Sequence, residues 1–181
     1  MKKYRPYNRS RVLFLFAGTL VMIAVMAKTG ATLKTPATPK GILELEFARN
    51  AGQASAVVGA WKGIGTADNI QAAKINTWLD FVFLLFYSTF LYTLCRLLAD
   101  SFSGFLCITG RFLAKGALVA GLLDTLENAG MLVTLYGHIS DDCALLTYIL
   151  SITKWIIASS AVGYILMAGS VSIHQKIKKT G

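Results

Sequence analysis

The sequence predicts an all-α protein, a four-helix transmembrane bundle, and three observations carry that prediction. Mean hydropathy is +0.57. Hydrophobic residues make up 55% of the chain and charged residues only 15%. Four segments approach the roughly 20 consecutive apolar residues that a spanning helix needs. At 181 residues the chain makes a single membrane domain over 1–181, without internal repeats at the periods of solenoids or propellers. A separate catalytic domain does not fit within that length.

The predicted spans run over about 12–27, 78–98, 112–136 and 144–171. The first is the shortest, and its basic start (Lys2, Lys3, Arg5, Arg9, Arg11) followed by apolar residues also reads as a secretory signal ending at Val25-Met26-Ala27. Lys and Arg in short flanking segments stay on the cytoplasmic side. Five precede the first span, Arg96, Arg111 and Lys115 flank the turn between the second and third, and Lys176, Lys178 and Lys179 close the chain. The 137–143 turn has Asp141 and Asp142 and no base. The expected location is therefore the bacterial inner membrane, multi-pass, with both termini cytoplasmic and the 28–76 segment outside.

That outer segment is patterned rather than featureless. Lys34 to Lys40, with Pro36 and Pro39, reads as an extended arm. A helix is expected to open near Gly41 and run on through Trp61, ending at Lys62-Gly63-Ile64-Gly65, with Thr66 or Asp68 capping the helix that enters the second span. Few charges among frequent apolar residues place this short periplasmic helical segment at the interface or over the bundle mouth. Trp61 suits the level where water meets lipid and can serve as a lid. Glu44 and Glu46 point about 200° apart on a helix. Glu46 is expected to pair with Arg49 at i+3 on the surface, and Glu44 is kept as the candidate facing a shared site.

The candidate site rests on charges placed where hydrocarbon should be. Asp80, Asp124, Glu127 and Lys154 all fall inside predicted spans, and each costs about 2.5–3.5 kcal/mol at a helix centre. Asp80 shares a helical face with Leu84, Tyr87 and Leu91, and less centrally with Asn76, Thr77 and Cys95. Asp124, Glu127, Asn128 and Met131 share another, continued by the small residues Ala117, Ala120 and Gly121 that permit close helix packing. Lys154 aligns with Ala158, Ala161, Ile165 and Ala168. At a rise of about 1.5 Å per residue, Glu127 and Lys154 both lie about 14–15 Å from the outer ends of their helices and can meet at one level. One Lys and one Glu make a structural ion pair; three acids against one base leave carboxylates that must be protonated, hydrated or matched by a guest.

The expected ligand-binding residues are therefore Asp80, Tyr87, Asp124, Glu127, Asn128 and Lys154, with Glu44 and Trp61 at the mouth. The expected guest is a small amphipathic or cationic ligand, or a lipid, in an outer-leaflet pocket. Two other classes fit the same residues: an intramembrane enzyme using a carboxylate as general acid or base, and a structural or assembly subunit whose polar face meets a second copy or a membrane-complex partner. No catalytic residue is assigned, and no metal or cofactor is expected. The cluster His138, Asp141, Asp142 and Cys143 has metal-ligating types, but a polar turn between helices uses the same residues and is the reading adopted. The net charge of +9 is spread over membrane flanks, which points to anionic headgroups and away from nucleic acid. Cys95 and Cys107 fall on one side and Cys143 on the other, so no disulfide spans them.

The run Leu43-Glu44-Leu45-Glu46-Phe47-Ala48, then Trp61, Asp80, Tyr87 and Leu122-Leu123-Asp124-Thr125-Leu126-Glu127-Asn128 resembles a pattern in bacterial four-helix inner-membrane proteins of about this size that have no assigned activity. The resemblance covers roughly 40–135 and implies the architecture and attention to these acids, not a reaction. The placement of acids within four helices is also loosely similar to the sigma-2 receptor and sterol-isomerase bundles, where carboxylates receive a cationic amine or carbocation; this is an analogy of fold without matched motifs.

Overall fold

The computed structural model describes residues 9–62 and 69–180. Gly63, Ile64, Gly65, Thr66 and Asp68, expected to end one helix and cap the next, lie outside the described residues, as do Lys2, Lys3 and Arg5. The described residues form α1 (Arg9–Thr29), a 3-10 turn (Ala31–Leu33), α2 (Leu43–Glu46), α3 (Ala51–Lys62), α4 (Asn69–Asp100), α5 (Phe105–Leu135) and α6 (Asp141–Thr180), with no β-strand among them. Four of these helices, α1, α4, α5 and α6, are long and apolar enough to cross a membrane. Each begins before the apolar run that marks it in the sequence, and α1, α4 and α6 also end beyond theirs.

Short connections force α4, α5 and α6 into antiparallel neighbours. The turn from α4 to α5 depends on Gly104, whose φ of 64° is readily reached only without a Cβ. At the other end Gly137 takes φ 101°. There Gly137 N–H donates to Thr134 O at 3.0 Å and His138 N–H to Val133 O at 3.1 Å, closing the last carbonyls of α5 in the Schellman pattern. Ser140 then caps α6 by accepting from Cys143 N–H at 3.2 Å, while Asp141 and Asp142 occupy the first turn, where the helix dipole favours negative charge. Asp141 Oδ1 also accepts from Ala51 N–H at 2.7 Å. The polar 137–143 segment thus serves as the turn the sequence suggested.

Helix α5 lies between α4 and α6, and its small residues bring all three close. A Cβ added at Gly121 would sit 2.9 Å from Ser88 Cβ of α4. Gly110 faces the Tyr164 hydroxyl of α6 as well as Ala99 of α4. Helix α1 stands apart on the far side of α4, touching it through Phe14 against Phe86 at 5.9 Å and Phe16 against Phe90 at 5.5 Å. Asn76 ties its end down, donating to Met26 O at 3.0 Å and Thr29 Oγ1 at 2.7 Å.

The segment between α1 and α4 departs from the sequence expectation in three ways. The stretch around Pro36 and Pro39 is not an extended arm but a tight turn in which Thr35 and Thr38 exchange backbone hydrogen bonds, with Pro36 just after Thr35, where its fixed φ favours a turn. The expected continuous helix is broken after Glu46: Asn50 restarts it by accepting from Gln53 N–H at 2.9 Å, and Gln53 Oε1 reaches back to Arg49 N–H at 2.8 Å, a variant of the capping box. Trp61 is fully buried rather than at a lipid–water boundary. Its indole N–H donates to Leu33 O and Thr38 Oγ1, both at 3.1 Å, so it pins the turn beneath α3. Exposed aromatics near this end are Trp78 and Tyr136.

Two apolar clusters result. One joins Leu33, Leu45, Val58 and Trp61 of the capping segment to Ile70, Met131 and Leu135. The other, at the opposite end, joins Leu91, Cys95, Ala114, Ala117, Tyr164 and Ala168. A buried polar layer lies between them.

Candidate functional site

Helices α4, α5 and α6 and the short α2 each contribute to that layer. Asp124 and Glu127 are one turn apart on the buried face of α5 and share a face with Asn128. Lys154 of α6 reaches both: its Nζ donates to Asp124 Oδ1 at 2.6 Å and lies 2.8 Å from Glu127 Oε2. Tyr87 of α4 donates to the other Asp124 oxygen at 2.7 Å. Asp124 is therefore held from two helices. Glu127 is wholly buried, and neither of its oxygens has a well-directed hydrogen bond among the described residues; its contact with Lys154 is close but off the hydrogen-bonding directions.

The fourth acid is one that sequence reasoning assigned to the surface. Glu46 does not pair with Arg49, whose guanidinium stacks over Tyr148 at 4.8 Å. It is buried and turns its Oε2 towards Lys154 Nζ at 3.7 Å, accepting from Ser151 Oγ and Trp155 Nε1, each at 3.3 Å. Glu44, the candidate from the sequence, is not brought to the cluster. It lies half-buried on the opposite side of the short helix and accepts weakly from Lys40 N–H at 3.4 Å. A signal for Glu46 was present in the stripe Ile42, Leu45, Glu46, which falls on one face at i, i+3 and i+4; the competing reading failed because the helix ends at Glu46, so an i+3 partner on the same helix does not exist.

Asp80 stands slightly apart. Its Oδ2 accepts from Asn128 Nδ2 at 2.7 Å, and among the described residues it joins no ion pair. It lines a small cavity of about 20 Å³, open on one side, together with Glu46, Asn76, Thr77, Asn128, Met26, Ile42 and Met131. That volume holds a water-sized guest, not the body of an amphiphile.

Of the residues the sequence singled out, the structure thus brings Tyr87, Asp124, Glu127 and Lys154 into one network and sets Asp80 with Asn128 beside it at the cavity, while Trp61 belongs to the apolar core above. Four carboxylates meet one ammonium here. In a medium where each unpaired charge costs several kcal/mol, the arrangement attracts positive charge. No family model, curated protein or solved structure matches the chain, so its architecture is that of a multi-pass four-helix membrane protein on the evidence of its own helices.

Proposed function

We propose that this protein is an integral membrane protein of the bacterial inner membrane, with both termini cytoplasmic, that binds a small cationic ligand or the cationic end of an amphipathic molecule in its acid-rich layer. The observation that supports the reading is the imbalance of charge: Glu46, Asp124 and Glu127 face the single Lys154, and Asp80 lies beside them at the cavity. Lys154 holds Asp124 and Glu127 directly and leans on Glu46, which leaves Asp80 and the cavity as the receiving side. An amphiphile whose body stays between lipid chains presents only its head to a space this small. The direct test is purification in native membrane patches followed by mass spectrometry of bound small molecules, comparing wild type with a variant carrying Asp80→Asn and Glu46→Gln. A cationic molecule retained by wild type and lost from the folded variant supports the reading; equal content in the two folded proteins removes it.

The tight coupling of Lys154 to Asp124 at 2.6 Å favours a second reading for that half of the layer, a polar knot that fixes α5 against α6 in an assembly subunit. A fixed partner that co-purifies with wild type and is lost on changing Lys154 supports it.

A further inference from the structure

The polar hold of α2 on the buried layer converges on a single atom. Glu46 Oε2 accepts from Ser151 Oγ and Trp155 Nε1, each at 3.3 Å, and stands 3.7 Å from Lys154 Nζ. O–H···O bonds centre on about 2.7–2.8 Å and N–H···O bonds on about 2.9–3.0 Å, so all three contacts are long. Inside the layer Lys154 and Tyr87 hold Asp124 at 2.6 and 2.7 Å. The neighbouring α3 is also fixed more firmly, by Ala51 N–H on Asp141 at 2.7 Å and by the two bonds of the buried Trp61 indole at 3.1 Å. Backbone breaks flank α2 on both sides. Gly41 precedes it with φ 62°, a conformation open to glycine at little cost, and the helix stops at Glu46 and does not resume until Ala51. Hinges are built from a few loop or element-terminal residues of this kind.

Beneath this weak joint lie groups that water does not reach: Ser151 and Glu127 are wholly buried and Lys154 nearly so. Glu46 also lines the small cavity with Asp80 and Asn128, so its side chain stands between the cavity and the Lys154 network. We propose that residues 42–46 form a lid over the polar layer and that Glu46 is its latch. When Glu46 lets go of α6, the segment swings at Gly41 and at the 47–50 break, water meets Ser151, Lys154 and Glu127, and the cavity becomes continuous with them. Leu45, which belongs to the apolar cluster around Trp61, draws the lid shut, so the open form is the minor state of a local equilibrium. The inference deepens the cationic-ligand reading by naming the way in: a cation in the cavity offers Glu46 a second positive partner and draws it from Lys154. The motion itself requires no ligand.

The experiment uses the full chain in nanodiscs without added ligand. Cys107→Ser and Cys143→Ser remove the two partly buried native thiols, and Ser151→Cys places a reporter under the latch. Cys95, wholly buried in the apolar cluster at the opposite end, stays as the internal control. A charged methanethiosulfonate, which reacts with the thiols that water reaches, is added and its adducts are followed by peptide mass spectrometry. The reporter is expected to be labelled slowly in this background and at least tenfold faster when Glu46→Gln is added. Trp155→Phe is the second variant; it withdraws one donor from the latch at a position that is 45% exposed, and is expected to speed labelling several-fold, with Cys95 untouched throughout. A reporter that neither variant speeds, one that is never labelled, or one labelled in step with Cys95 overturns the lid. Latch-dependent labelling with no cationic molecule recovered from native membrane patches keeps the lid and removes the ligand reading. A recovered cation with labelling indifferent to Glu46 does the reverse.

Discussion

Lys154→Met gives the sharpest account of how the polar layer is held together. The Lys154 side chain is 9% exposed and faces Asp124 and Glu127 side chains that are 3% and 0% exposed, so water cannot compensate its removal. The substitution keeps an unbranched apolar stem but leaves Asp124, Glu127 and Glu46 without a cation. Breaking a buried pair by deleting one partner costs about 3–5 kcal/mol, because the other charge stays behind uncompensated. Asp124→Asn is milder: Lys154 retains Glu127 at 2.8 Å and Glu46 at 3.7 Å, and the loss is that of one charge-assisted hydrogen bond, about 1.5–3 kcal/mol. Glu127→Gln is milder again, at about 1 kcal/mol or less, since that carboxylate makes no well-directed hydrogen bond and its removal relieves part of the acid excess. Reversible unfolding in mixed micelles, followed by far-UV circular dichroism, reads all three variants on one scale. The expected order of destabilisation is Lys154→Met, then Asp124→Asn, then Glu127→Gln, and adding Asp124→Asn with Glu127→Gln to Lys154→Met recovers much of the loss. A Lys154→Met protein as stable as wild type, or more stable than Asp124→Asn, would refute the view that one ammonium neutralises this layer.

Other positions separate packing from electrostatics. Trp61→Phe keeps most of the ring but loses both indole hydrogen bonds to Leu33 and Thr38, costing about 1–2 kcal/mol; hydrogen exchange should accelerate in 31–62 while α5 and α6 stay protected. Gly121→Ala forces a Cβ against Ser88 at 2.9 Å and should cost about 1–3 kcal/mol by overpacking; adding Ser88→Ala, which removes the contacting hydroxyl, should return part of it in the same unfolding assay. Asn76→Ala releases the end of α1, so exchange in 20–29 should rise more than in α4. Arg111→Ala breaks a pair with the half-exposed Asp100 and should leave stability within about 1 kcal/mol, because water already screens it.

The spans and most of the acid layer were legible in the sequence for one physical reason: charge inside hydrocarbon is so costly that it marks an inward face without any partner being known. Asp124, Glu127 and Lys154 declared themselves in this way, and the helical rise alone set Glu127 and Lys154 at one depth. The capping segment was less legible because hydrocarbon does not constrain it. Its charges sit near water, where Glu44 and Glu46 cost about the same, and only the fold-back of the chain decides which is buried. That fold-back follows from the Pro36 turn, the break at Asn50 and the burial of Trp61. Each is a local feature whose consequence depends on what it meets. The amphipathic look of Trp61 misled for the same reason: a tryptophan at a lipid boundary and one donating to carbonyl and hydroxyl oxygens in a core have the same sequence signature.

Burial of Glu46 changes what the polar layer is. With Asp124 and Glu127 alone, Lys154 would join α5 to α6 as a contact within the bundle. Glu46 carries the network into α2, a four-residue helix that cannot hold itself together, since helices this short do not persist in isolation. Its position depends on Lys154, Ser151 and Trp155 below, and on Leu45 packed with Trp61 in the apolar core above. The cavity opens between this dependent piece and the rigid face of α4 that carries Asn76, Thr77 and Asp80. The order of the capping segment depends on the contacts Glu46 makes with Lys154, Ser151 and Trp155. Glu46→Gln should therefore speed hydrogen exchange in 31–62 more than in α4, and equal rates in the wild type and the folded variant would uncouple the cap from the polar layer.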